Sequence, residues 1–307
     1  MKPKFRRALN LSSFLSVVVC AATANAATLY WDSNGTGTAG AGATPTGTWG
    51  SSVFWTTDST GANVGSPTLI SGTTNADDLF FVAGPGAASG NNAYVVTVGT
   101  TQVANSLTFQ ASGGTTLSGG TSITLGNGTP AAGGITMNQF AYGAVAQGAV
   151  TISTPIVLAN AQTWTNNSVN TFTTNGGLNL GANTLTFSGS GGFSFGTVAA
   201  SVISNGSVVM NGTGLLVLGG AATVPVHTYS GGTTITNGTV MFSSNLPASG
   251  NLTLNGGVYQ EYFGGTVSRA LGSGSGQIQI TGGASGFSGQ GGTGTNFNIG
   301  GAAALRG

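Results

Sequence analysis

The chain repeats one very short pattern: an apolar residue, a polar residue and a second apolar residue, closed within a few positions by glycine or asparagine. Leu107-Thr-Phe109, Ile123-Thr-Leu125, Ile135-Thr-Met137, Leu185-Thr-Phe187, Phe193-Ser-Phe195 and Leu252-Thr-Leu254 follow it, and Leu178-Asn-Leu180 and Ile278-Gln-Ile280 vary only the central residue. A period of two puts the outer side chains on one face of an extended backbone and the central one on the other. Each triplet therefore reads as a half-buried strand of three or four residues. Asn-Gly pairs at 127–128, 175–176, 205–206, 211–212, 237–238 and 255–256 supply corners, because both residues accept φ > 0.

Strands this short decide between β architectures. A sandwich or barrel uses strands of about five to six residues with turns every eight to twelve. Here the strands are shorter and the turns more frequent. Three such strands make one coil of roughly 20–25 residues, at the short end of solenoid periods. Coils stack at about 4.8 Å, and the chain is long enough for on the order of ten of them. Composition agrees. Glycine supplies 56 of 307 residues and only 4% are charged, against about 25% in an ordinary domain. The 39% hydrophobic fraction argues against disorder. In a parallel stack the same position recurs one coil above another, where like charges repel, whereas Thr, Ser and Asn can hydrogen-bond along the axis.

The densest instance is Tyr229-Ser-Gly-Gly-Thr-Thr-Ile-Thr-Asn-Gly-Thr-Val-Met-Phe242, preceded by Leu215-Leu-Val-Leu-Gly-Gly220. This stretch resembles the autotransporter-associated β-strand repeat of bacterial surface-protein passengers, with one good copy at about 208–242. The resemblance implies a right-handed parallel β-helix and a passenger that is secreted or displayed at the cell surface in association with the outer membrane; it implies architecture and location and not an activity. The motif carries no catalytic residues.

Met1–Ala26 reads as a signal peptide: Lys2, Lys4, Arg6 and Arg7, an apolar run, and Ala24-Asn-Ala26 as a small-x-small cleavage site. Cys20, the only cysteine, leaves with it, so the mature chain has no disulfide. Residues 27–100 form an N-terminal cap region rich in tryptophan (Trp31, Trp49 and Trp55), expected to cover the open end of a solenoid, with a sugar-stacking platform as its rival. Residues 101–307 form the solenoid passenger. Membrane-barrel strands of about ten residues do not appear, so outer-membrane association would come only through a missing C-terminal part. Beyond Ala26, Arg269 and Arg306 face five acids. That excludes the basic footprint of a nucleic-acid binder.

Residues with chemical potential are few. His227 is the only histidine and reads as a turn residue; alone it makes no zinc site. Asp77-Asp78 is the one acidic pair and reads as a solvated turn, with calcium as the alternative. Gly291-Gly-Thr-Gly-Thr-Asn-Phe-Asn-Ile299 is similar to a calcium-binding β-roll nonapeptide, but Asn296 stands where a carboxylate belongs. Glu261 and Arg269 are close enough in sequence to meet, with no evident third partner. The expectation is thus a structural or adhesive solenoid with no catalytic, cofactor or metal residues. Its partners would be glycans or other cell surfaces, contacted through Thr/Asn ladders and exposed aromatics such as Tyr259 and Tyr262. The alternatives are a polysaccharide-degrading β-helix enzyme, recognisable by charged residues sharing a cleft, and a self-associating matrix protein.

Overall fold

The computed structural model describes residues 26–84, 92–139, 146–196, 198–219, 226–242, 246–262, 264–290, 294–300 and 304–306. The expected signal segment lies outside the described residues as far as position 25. The described residues contain β-strands and loops and no helix. They build a parallel β-solenoid.

Among the described residues the strands fall into a twelve-stranded, a ten-stranded and a five-stranded sheet, with a further three-stranded sheet downstream. Each turn of chain lays one strand on the twelve-stranded sheet, one on the ten-stranded sheet and, over the first part of the solenoid, one on the five-stranded sheet. The parallel strands of the largest sheet start at residues 78, 106, 134, 162, 184, 207, 233, 252 and 278. They bound eight successive turns of 19 to 28 residues. The longer turns exceed the expected 20–25 residues because loops widen their corners, as between Leu125 and Gly134, and fewer turns therefore fit the chain.

Register is kept across the stack. Leu79 lies beside Leu107, Leu107 beside Ile135, and Ile135 beside Trp164. The apolar–polar–apolar triplets thereby aim their outer residues at the axis and their central residue outward, as the period of two requires; Ile278-Gln-Ile280 departs from this, with Ile278 buried and Ile280 exposed. The strand Thr184–Ser188 alternates half-exposed and buried, and Gln162–Asn166 alternates buried with outward residues. Inside, rings pack on rings: Phe81 stacks on Phe109 with centroids 4.9 Å apart, and Phe187 meets Phe193 at 4.9 Å and Phe195 at 5.4 Å. This axial column of aromatic and aliphatic side chains is the solenoid's core.

The corners show two uses of glycine. At Asn205-Gly206 both residues have positive φ, 59° and 54°, a conformation that β-branched side chains avoid. Gly212 has no such backbone. A Cβ there would come within 2.4 Å of the Gly189 carbonyl oxygen of the turn beneath, so close stacking excludes a side chain. Asn-Gly is therefore not one kind of corner throughout.

At the upstream end, Thr28–Trp31 pairs in parallel with Asp78–Phe81 and antiparallel with Trp55–Thr56, which pairs antiparallel with Leu69–Ile70. Trp31, Trp49 and Trp55 are fully buried. Trp55 meets Trp31 at 4.9 Å and Trp49 at 5.7 Å, both edge to face. With their rings inside the core, none offers a face on which a sugar could stack.

Candidate functional site

The third side of the solenoid changes construction part-way along. It begins as a regular ladder of Thr101–Ala104, Ser122–Leu125, Ile156–Leu158, Leu178–Asn179 and Ile203–Ser204. In the next turn His227 and Thr228 continue it. Thr228 bridges Ser204, and the Ile203 backbone N–H donates to His227 Nδ1 at 3.0 Å. One turn further on the same side is formed by the segment around Leu246-Pro247-Ala248, where proline has no N–H to offer a ladder. The strand Gly265–Arg269 follows, but it belongs to the separate three-stranded sheet with Thr295–Ile299 and Ala304–Arg306.

Arg269 reaches across this gap. Its Nη2 donates to the carbonyl oxygens of Leu246 at 2.6 Å and Pro247 at 3.4 Å. These acceptors lack a neighbouring strand, and the guanidinium fork supplies donors in its place. Beside it lies a cavity of about 340 Å³ whose wall includes Leu246, Tyr259, Val267 and Arg269. The other guanidinium nitrogen, Nη1, is shielded from water and has no hydrogen-bond partner. Burial lowers the pKa of Arg269.

Tyr259 forms the inner wall. Its ring lies 5.6 Å from Phe242 and edge-on to Phe297 at 6.1 Å, and its hydroxyl donates to Glu261 Oε2 at 2.7 Å. Burial, followed by the adjoining Glu261 carboxylate, drives its pKa far up. Tyr229, one turn back, shares a hydroxyl contact with Thr233 Oγ1 at 2.7 Å, and burial raises its pKa too. The expectation that Tyr259 is an exposed contact aromatic is overturned. It is 1% exposed, because its position faces the axis in the same row as Val240 and Phe287; Tyr262 is half-buried.

Glu261 and Arg269 do gather around one feature, and the third member of that group is Tyr259. Tyrosine is invisible to a search for charged partners. Glu261 is itself buried, its carboxylate held by the Tyr259 hydroxyl.

No protein-family model, no curated protein and no solved structure matches the chain.

The other candidate residues are dispersed. His227 is 5% exposed, and burial lowers its pKa to about 4. It is a buried ladder residue and not a turn residue in solvent. Asp77 and Asp78 diverge along the backbone. Asp77 is buried and not solvated: Oδ1 accepts the Ala27 N–H at 3.0 Å, while Oδ2 accepts the Thr74 N–H at 2.7 Å and its hydroxyl at 2.9 Å. Asp78 opens the strand and accepts from Asn105 Nδ2 at 2.8 Å and from the Ser106 hydroxyl. The nonapeptide-like stretch begins at Gly291, and residues 291–293 lie outside the described residues; Asn296 sits in the strand Thr295–Ile299. Among the described residues no three of His, Cys, Asp and Glu come together to hold a metal ion.

One convergence has no sequence signal. Asp32 and Asp58, 26 positions apart, meet around Asn63. Its side-chain amide nitrogen donates to Asp32, its backbone N–H donates to Asp58 Oδ2 at 2.8 Å, and its side-chain Oδ1 accepts the Thr56 hydroxyl at 2.6 Å. Asn63 has a φ of 52°, which asparagine tolerates better than most residues. Burial pushes Asp32 up to about 6, while hydrogen bonds from Thr60 hold Asp58 below the usual carboxylate range. This knot ties the N-terminal loops together.

Proposed function

We propose that the chain is the exported β-solenoid passenger of a bacterial cell-surface or secreted protein, with a structural or adhesive role and no catalysis. The observation that carries this reading is the outer face of the twelve-stranded sheet. One register row runs Ser106, Gly134, Thr163, Thr186, Val209, Thr234, Thr253 and Gln279, and a second runs Thr108, Thr136, Thr165 and Ser188. Neither row carries a charge over that length. Such a surface contacts large, neutral, hydroxyl-rich partners without ionic selectivity and avoids repulsion along the stack. The basic, apolar, small-x-small N-terminal segment supports export, and the resemblance of residues 208–242 to the autotransporter-associated repeat supports the surface setting.

The test expresses the full chain with its own N-terminus in a two-membrane bacterium and sequences the N-terminus of the product. The expected product begins at Ala27 and is recovered outside the cytoplasm. A product that stays in the cytoplasm and begins at Met1 overturns the reading. Release of reducing ends from neutral or acidic polysaccharides by the purified protein would overturn its non-catalytic part.

A further inference from the structure

We propose that the outer face of the twelve-stranded sheet binds a neutral, extended glycan chain, anchored on Tyr30 and Phe80 and laid along the solenoid axis. Both aromatic residues stand on the outward side of their strands and are half-buried there, outside the axial core. They pair in register, with ring centroids 4.9 Å apart and planes inclined by 31°. The same row continues downstream through Thr108, Thr136, Thr165 and Ser188. An aromatic pair therefore opens directly onto a line of hydroxyls that advances by about 4.8 Å per strand.

A sugar chain uses both halves of this row. The C–H-lined face of a pyranose ring meets the electron-rich face of an aromatic ring, and its hydroxyls need donors and acceptors alongside. Thr108, Thr136, Thr165 and Ser188 are half-exposed, and their hydroxyls have no hydrogen-bond partner among the described residues, so each offers one donor and two acceptor sites to a ligand. Farther along the face the hydroxyls are spent within the chain, as Thr253 is on Asn251 Oδ1 at 2.9 Å. Beside the open row, a depression of about 150 Å³ between Thr163, Thr184 and Thr186 has room for a ring substituent. Because the row repeats in one dimension, its partner is a chain that repeats too. Charge decides which chain. No lysine or arginine occurs from residue 8 to residue 268, so a carboxylate or sulfate on this face would meet no cation. Asp78, in register with Ser106 in the neighbouring row, would repel it. The inference rests on the reading of this face as a contact surface, and export of a mature chain that binds no glycan would remove the inference and leave the passenger reading standing.

Isothermal titration of the purified full chain tests it, with cellohexaose and chitohexaose as neutral extended probes, cellobiose as a short one and hexagalacturonate as an acidic one. Saturable binding of at least one neutral hexasaccharide is expected, at least tenfold tighter than cellobiose and than hexagalacturonate. Phe80→Ala should weaken it at least tenfold, and Thr136→Ile at least threefold. Isoleucine removes the hydroxyl and keeps the β-branched shape that suits a strand, so Thr136→Ile decides the matter should Phe80→Ala fail to fold. Thr151→Ile, the same change on the outer face of the ten-stranded sheet, should leave the affinity unchanged. Absence of saturable binding by both neutral hexasaccharides, equal affinity for hexagalacturonate or cellobiose, undiminished binding by Thr136→Ile, or an equal loss in Thr151→Ile overturns the proposal.

Discussion

The imidazole of His227 completes the hydrogen bonding of Ile203, 24 residues earlier, by accepting its backbone N–H on Nδ1 at 3.0 Å. A side chain thus stands where a strand carbonyl would be, at the point where the five-stranded sheet ends. Only an unprotonated Nδ1 can accept this bond.

That relationship makes stability depend on pH. Burial lowers the His227 pKa to about 4 from an ordinary 6.5. The folded state therefore resists protonation more than the unfolded chain. The contribution is complete above pH 6.5 and is lost as pH falls towards 4, a difference on the order of 3 kcal/mol across the window. Asp32 acts in the opposite sense. Its pKa is pushed up to about 6 from 3.8, so its contribution is full below 3.8 and is lost as pH rises through 6. Urea midpoints at pH 4.5 and 7 should separate the two. Asp32→Asn should gain more stability than the parent on going to pH 7, and His227→Gln should gain less. An unchanged pH response in His227→Gln would rule out this role for the imidazole.

Inward and outward positions of one triplet should respond very differently to truncation. Phe187 is fully buried against Trp164, Phe193 and Phe195, so Phe187→Ala should cost about 3–5 kcal/mol. Thr186, one residue earlier on the outer face, should cost within about 0.5 kcal/mol when changed to alanine. Chemical denaturation of the two variants checks the contrast.

The two kinds of corner glycine should also separate. Alanine at Gly212 brings its Cβ within 2.4 Å of the Gly189 carbonyl, whereas alanine at Gly128, where φ is 85°, meets nothing within 4 Å. Gly128→Ala should cost about 1–2 kcal/mol for the left-handed backbone alone. Gly212→Ala forces two turns apart and should cost more. Equal losses in denaturant midpoint would contradict the stacking account.

Register pairing predicts a charge effect. Thr163 and Thr186 are direct neighbours in adjacent strands. The double variant Thr163→Lys/Thr186→Lys should be less stable than the sum of its single variants, and Thr163→Glu/Thr186→Lys more stable, with couplings of about 0.2–1 kcal/mol. Added salt should shrink both. A double-mutant cycle at low and high salt reads this directly.

The solenoid was legible in the sequence because its signal is local: Leu185-Thr-Phe187 states its own burial pattern in three residues. The polar residues inside were not. Gln162 faces the axis, where its amide donates to the Leu125 carbonyl at 2.6 Å and its oxygen accepts from Trp164 Nε1 at 3.2 Å; those partners are set by the turn beneath and the strand face, not by neighbours in a pattern. The Arg269 site was hidden for the same reason. Its acceptors are backbone carbonyls, which every residue owns, and its aromatic wall is a tyrosine expected on the surface. The Asp32–Asn63–Asp58 knot depends on loop closure over tens of residues, for which no short motif exists.

The direction of the ladder bonds has a mechanical consequence. In a stack of parallel turns they point along the axis, so tension between the two ends passes through every interface but is concentrated at the terminal turn, where the chain leaves the ladder. Such a chain yields by peeling, one turn after another. A released turn of 28 residues, such as that from 106 to 134, lengthens the molecule by roughly 90 Å in place of its folded rise of about 5 Å. Held at one end and pulled at the other, the protein behaves as a stepwise shock absorber, whose first step is set by whichever terminal turn is least tightly bound.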